Sequence, residues 1–324
     1  MKFLIAGLGS IGRRHLRNLA ALGERDVVLY RTHHSTLPEE ELAGYPQETS
    51  LEAALAHRPD AVIVCNPTAL HLAVALPAAQ AGCALLLEKP ISHSLDGLDE
   101  LQQALDQSGR GALVGFQFRY HPGLKLVRRL TEEGALGRVL SLRGHWGEYL
   151  ANWHPWEDYR QSYSARKDLG GGVVFTLTHP LDYLRWLFGE AQVAWAATAH
   201  LGDLQMDVED TAEIGLRFDA GILGSLHLDY NQRPASHWLE VTGTQGSLRW
   251  DNADGSVRLY RATASPEWET FAAPEGFERN QLFLDELRHF IAVARGQTGP
   301  VCTLQDGRRA LEMALRVHEI AGRG

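Results

Sequence analysis

"KFLIAGLGSIGRRHL", Lys2 to Leu16, decides the reading of the fold. An apolar run from Phe3 to Ala6 meets a glycine, and the spacing of apolar residues then changes. The run has the unbroken aliphatic character of a strand covered on both faces. Beyond the turn, Leu16, Leu19, Ala20 and Leu22 recur on one face of a helix. Gly7, Gly9 and Gly12 form G-x-G-x-x-G between the two elements. Gly7 allows a tight turn, Gly9 lets a pyrophosphate approach the backbone, and Gly12 lets the helix pack closely on the strand. The N–H groups of Ser10 and Ile11, at the helix start, complete an expected dinucleotide site.

Working outward, "DVVLYR", "DAVIVC", "ALLLE" and "ALVGFQ" read as further strands, separated by amphipathic helical stretches such as "LHLAVALPAAQAG". Aliphatic strands alternating with helices predict an α/β, doubly wound parallel sheet, a Rossmann domain over residues 1–118. From Arg119 the pattern changes to long period-two runs such as "RVLSLRGHWGEY", "TAEIGLRFD" and "HWLEVTGT". Turn signals at Asp219-Ala220-Gly221 and Gly243-Thr244-Gln245-Gly246 separate successive strands. Residues 119–324 therefore read as an α+β domain with a large open, mostly antiparallel sheet. Its apolar rows, including Leu216, Phe218, Leu226 and Leu228, are expected to be covered by a partner subunit in a homodimer or homotetramer.

The composition, 44% hydrophobic and 22% charged, is that of an ordinary globular chain. A net charge of −9 argues against nucleic-acid or anionic-membrane partners. Cys65, Cys83 and Cys302 have no paired spacing, so no zinc, other metal or disulfide is expected, and a cytoplasmic protein is. The opening apolar run is broken by glycines and followed by Arg13, Arg14 and His15, unlike a signal peptide.

The second strand ends in Arg31 and Thr32, where an NAD site usually has an acid. Arginine forks onto a 2′-phosphate, so NADP is preferred over NAD, with Thr32 and Ser35 adding hydrogen bonds. "CNPTALH" ends the next strand; Asn66, Pro67 and Thr68 are expected to line the nicotinamide side, and Thr68 to cap the helix carrying His71. His71 either touches the cofactor or is a helix-face residue with a satisfied ring. "LLLEKPIS", Leu85 to Ser92, brings Glu88, Lys89 and Pro90 to a strand end, on the edge where doubly wound sheets bind ligands.

The succession "GLGSIGRRH", "NPTALH", "AGCALLLEKP" and "GGGVVFTLTH" resembles the Gfo/Idh/MocA family of oxidoreductases, over essentially the whole chain. The resemblance implies that Lys89 reaches the substrate hydroxyl beside the nicotinamide, with a cis Lys89–Pro90 bond. It also implies that His179, in the second domain, is the general base, a role suited to imidazole near neutral pH. The family's usual aspartate aligns with Thr176. Asp182 is a possible substitute, although a surface pair with Arg185 is the favoured reading. Arg119, beside Tyr120, is placed to face the cleft, and Trp156, Tyr159 and Arg160 belong to an aromatic, basic loop that either binds a sugar-like ligand or serves subunit contact or local packing. Glu88 is read as a positioning group. The implied activity is hydride transfer between NAD(P) and a hydroxyl or carbonyl carbon of a sugar, polyol or related small molecule. The alternatives are an NAD-dependent glycoside hydrolase of the same fold, or a decayed cofactor-binding sensor or assembly protein.

Overall fold

The apolar run that opens the chain is strand β1, Phe3–Ala6, with all four side chains buried. The computed structural model describes residues 1–32, 40–262 and 266–322, so Ser35 lies outside the described residues. Helix α1, Ser10–Ala21, follows β1. There follow β2 (Val27–Tyr30), β3 (Gln47–Glu48), α2 (Leu51–Ala56), β4 (Ala61–Val64), α3 (His71–Gln80), β5 (Ala84–Glu88), α4 (Leu98–Ser108) and β6 (Ala112–Gly115). Among the described residues these strands form one parallel sheet in the order β3-β2-β1-β4-β5-β6. The order reverses at β1, where such sheets bind ligands. Ala6 is level with Tyr30 and with Val64, and Val64 with Leu87. One edge of the sheet therefore presents Gly7, Arg31, Asn66 and Lys89 just beyond the strand ends.

The remaining elements are α5 (Pro122–Glu132), β7 (Val139–Gly147), α6 (Val173–Thr176), α7 (His179–Phe188), β8 (Ala191–Ala199), β9 (Thr211–Phe218) and β10 (Leu223–Asp229). They continue with β11 (Ser236–Gly243), β12 (Gly246–Asp251), β13 (Val257–Arg261), β14 (Trp268–Phe271), α8 (Arg279–Ala294) and α9 (Leu304–Ala321). Among the described residues, the second sheet runs β14-β13-β12-β11-β7-β10-β9-β8, antiparallel except where β10 lies parallel to β7. The fold class read from the sequence is the one observed. Strands β3 and β14 escaped that reading, because one has two residues and the other, Trp-Glu-Thr-Phe, has no apolar alternation.

One expectation is corrected. Leu216, Phe218, Leu226 and Leu228 are already buried within the chain, on the face that α5 and α6 pack against. Strand alternation sends a different set outward, including Arg143, His145, Trp195, Glu240 and Arg249. The apolar rows need no partner to cover them.

The chain divides into two compact units. The first comprises Met1–Gln117, Lys167–Gly171 and Arg279–Leu311; the second comprises Phe118–Arg166, Gly172–Glu278 and Glu312–Gly324. Residues 279–311, assigned to the later domain by sequence order, thus belong to the dinucleotide-type unit. Helix α8 is drawn there by packing: Arg14 of α1 lies over the Phe283 ring at 4.4 Å, and Asn18 bonds Asn280. Among the described residues no helix is long and apolar enough to cross a membrane.

Candidate active site

In the first unit the glycine turn has the geometry its sequence implies. Gly7 has φ +96°, and a Cβ there would lie 2.5 Å from the Asn66 nitrogen. A Cβ on Gly12 would collide with the Gly7 carbonyl oxygen, whereas around Gly9 there is open space. No side chain caps α1 and no acid stands in its first turn, so the positive helix end is left for an anion. Ser10 and Ile11 form that first turn, both partly exposed. The cradle fits a dinucleotide pyrophosphate. At the end of β2, Arg31 is buried and donates from Nη1 to Gln47 Oε1 at 3.3 Å, while Thr32 is exposed.

Past β4, Asn66 donates from Nδ2 to the Leu70 carbonyl at 2.9 Å, and its buried Oδ1 has no partner among the described residues. Thr68 does not cap the following helix. Pro67 takes the cap position of a single 3₁₀ turn, and α3 begins only at His71, so the Thr68 hydroxyl is out of register. The Thr68 side chain instead packs where a Cβ on Gly170, at φ +78°, would stand at 3.1 Å. His71 is buried and donates from Nε2 to the Asn66 carbonyl at 2.8 Å. Burial lowers its pKa, against the pull of the Asn66 carbonyl and Glu88, so the ring is a neutral strut beneath the loop.

At the end of β5 the Lys89–Pro90 bond is cis, as the resemblance implied. Lys89 is partly exposed, whereas Glu88 turns inward. Glu88 Oε1 lies 2.8 Å from His15 Nε2, and Oε2 accepts the Lys89 N–H at 3.4 Å. Burial would raise the Glu88 carboxyl, but the His15 bond and charge, with Lys89 and His71, more than offset this and hold it below the ordinary value. Glu88 therefore ties the lysine loop to α1.

The second unit surrounds His179 with rings. His179 starts α7 and is buried, edge-on to Phe118 at 5.0 Å and 5.6 Å from Trp146. Trp146 in turn lies flat on His237 at 4.2 Å, and His237 Nε2 is 3.2 Å from the Tyr183 hydroxyl. Pro180 sits in the first turn of α7, where it is tolerated, and the chain breaks between α6 and α7 as that proline requires. Asp182 does not pair with Arg185. It accepts both Arg119 Nε at 2.9 Å and Nη2 at 2.6 Å, while Arg185 turns to Glu190. Arg119 is buried in that pair rather than open. Thr176 is buried and interacts with Tyr230, whose hydroxyl donates to the Gly172 carbonyl at 3.0 Å. Gly172, at φ +105°, leaves room for Glu209, whose Oε1 accepts the Val174 N–H at 3.1 Å at the start of α6. Burial lifts the Glu209 carboxyl to about 7.

In the loop, Trp156 is 65% exposed, and exposed Arg160 forks onto Asp158 and reaches Gln205. The Tyr159 hydroxyl accepts the Gln205 N–H at 3.0 Å. Phe118, Trp146 and His237 were missed in the sequence. The only signal for the last two was their inward position in paired strands, where Trp146 faces His237 in register.

A sequence profile described as an oxidoreductase family with an NAD-binding Rossmann fold matches residues 1–116, and the GFO/IDH/MocA C-terminal domain matches residues 124–249. The chain belongs to the GFO/IDH/MocA family. This GFO/IDH/MocA oxidoreductase is 26% identical to myo-inositol 2-dehydrogenase of Thermotoga maritima, over 96% of this chain and 93% of that one. It is 27% identical to levoglucosan dehydrogenase of Pseudarthrobacter phenanthrenivorans over 63% of this chain, an alignment spanning 59% of that protein's length. A solved levoglucosan dehydrogenase, in complex with NADH and levoglucosan, superposes with a TM-score of 0.86 at 22% identity, covering 100% of this chain and 97% of that one. The last likeness is one of fold.

Proposed function

We propose that this family member transfers a hydride between a nicotinamide dinucleotide and a hydroxyl- or carbonyl-bearing carbon of a sugar, polyol or related small molecule. Lys89 would hold the reacting oxygen as a hydrogen-bond donor, and His179 would take or return its proton. When bound, the nicotinamide supplies the hydride acceptor or donor. The carrying observation is Lys89 itself, partly exposed past β5 on the sheet edge that also bears the glycine turn, with Glu88 buried behind it. Relatives named for myo-inositol and levoglucosan support the substrate class.

NADP over NAD rests on Arg31, since no acid follows β2 at Arg31 or Thr32. Its existing bond to Gln47 means a 2′-phosphate would share or displace that contact. A homodimer or homotetramer through the second sheet now rests on its outer face, where Trp195 is 51% exposed.

The test is a screen of sugars, polyols and sugar acids for nicotinamide absorbance change, run with both dinucleotides. Lys89→Met and His179→Asn should each lower kcat by about 10²–10⁴-fold while NADH binding is preserved. Variants turning over as fast as the parent would remove these two residues from the chemistry. Equal Kd for NAD and NADP, unchanged in Arg31→Ala, would remove the phosphate preference.

A further inference from the structure

Glu286, on α8, is fully enclosed, and neither of its carboxylate oxygens has a hydrogen-bond partner among the described residues. His15 of α1 and Glu88 of β5 bring ligand-capable atoms to it, the three lying within 4.8 Å of one another. An ionised carboxylate in that position would lose its hydration with no hydrogen bond in return, beside a second carboxylate that repels it. The other charged groups around the cluster act on Glu88. Arg14 of α1 and Lys89 face it, as do His71 of α3 and the thiol of Cys65. Strand β6, also packed on α8, contributes only Ala-Leu-Val-Gly. On α8 itself, Asp285 pairs with Arg288, and Arg279 faces Arg14. Burial first, and Glu88 second, push the Glu286 carboxyl well above the ordinary carboxylate range.

We propose that Glu286 is a positioning residue that carries its proton in the folded protein, and that as a neutral acid it keeps Glu88, and through it the Lys89 main chain, in place for dinucleotide binding. Glu88 has committed one oxygen to His15 and the other to the Lys89 amide. A neutral neighbour leaves that arrangement with one negative charge to balance. An ionised Glu286 would put two carboxylates in one apolar pocket, and the more exposed Glu88 is the one free to swing out, taking the lysine loop with it.

Glu286→Gln preserves shape and neutrality but cannot ionise. The first measurement is unfolding by denaturant, without dinucleotide, of parent and Glu286→Gln between about pH 6 and 9. The free carboxyl titrates near 4.5 and the buried one far higher. The proton's stabilisation is full below the lower value and is lost as pH rises toward the upper one. Relative to the variant, the parent's folding equilibrium constant should fall as pH rises, by up to about tenfold per pH unit.

The second measurement is NADH affinity by fluorescence titration. Over the pH range in which the folding comparison shows the proton retained, the variant should bind within about threefold of the parent. A parent-to-variant stability difference that is flat with pH would overturn the proposal. So would a folded Glu286→Gln that has lost NADH binding at pH 6, which would make the negative charge the requirement. A stoichiometric divalent ion, removed by chelator with loss of NADH binding, would overturn it in favour of a metal held by this nitrogen and oxygen donor set. If the parent itself fails to bind NADH, the dinucleotide reading falls, and the unfolding comparison still decides where the proton is.

Discussion

Arg119 and Asp182 lie 63 residues apart in the chain and share two hydrogen bonds in a buried ion pair. Removing two charges from water costs several kcal/mol each, and the cost is recovered only while both partners are present. Asp182 is one turn beyond His179 on α7, so the pair also fixes the helix that carries the imidazole. Asp182→Asn strips the countercharge from a guanidinium that cannot reach solvent, and should destabilise the protein by about 3–5 kcal/mol. The check is the denaturant midpoint of the single variant beside the double variant Arg119→Leu with Asp182→Leu. Two apolar residues need no countercharge and should recover most of the loss. A double variant as unstable as the single one would mean that shape, not charge, holds these positions. The same pair explains why Arg119 was misread as open to a ligand: its partner is far away in sequence, and Arg185 offered a nearer candidate for Asp182.

The spacing of Leu124, Val127 and Leu130 shows helix α5 in the sequence, but nothing there shows its cap, because histidine is not among the usual capping residues. His121 Nδ1 accepts the Gly123 N–H at 3.0 Å, and Pro122 takes the first helical position, where its missing N–H costs nothing. An imidazole nitrogen accepts only while it is unprotonated. The ring is packed edge-on to Trp250 at 5.1 Å and Phe277 at 5.2 Å, and burial depresses its pKa from 6.5 to about 4. A depressed folded value means that stability is fully present above 6.5 and is lost as pH falls toward 4, by about 3 kcal/mol at most. His121→Asn keeps a capping acceptor that does not titrate. Between about pH 7 and 4 its unfolding midpoint should therefore fall less steeply than the parent's. Parallel falls would show that the acid sensitivity comes from other groups.

At the scale of the whole chain, local patterns reported what is local. The first sheet, the glycine turn and the lysine strand end could be read because each is set by a few consecutive residues. The return of α8 to the first unit could not, since Arg14–Phe283 and Asn18–Asn280 are contacts that chain order hides. The two faces of the second sheet were confused for a related reason. Period-two alternation separates the faces but does not say which one the helices cover. With the inner face now accounted for, the proposed dimer or tetramer through the second sheet would use the outer one. There the Trp195 indole lies across Gly215 on the neighbouring strand, where a Cβ would strike it, and Leu223 is 57% exposed. A broad aromatic plate with an aliphatic neighbour, amid charged residues such as Arg143 and Glu240, suits the centre of an interface between copies. Trp195→Glu with Leu223→Arg should then sediment as a monomer while the parent sediments as a dimer or tetramer. Both positions are on the solvent side, so the far-ultraviolet spectrum should not change. A parent that is monomeric at high concentration, or a variant that still assembles, would move the interface elsewhere or remove it.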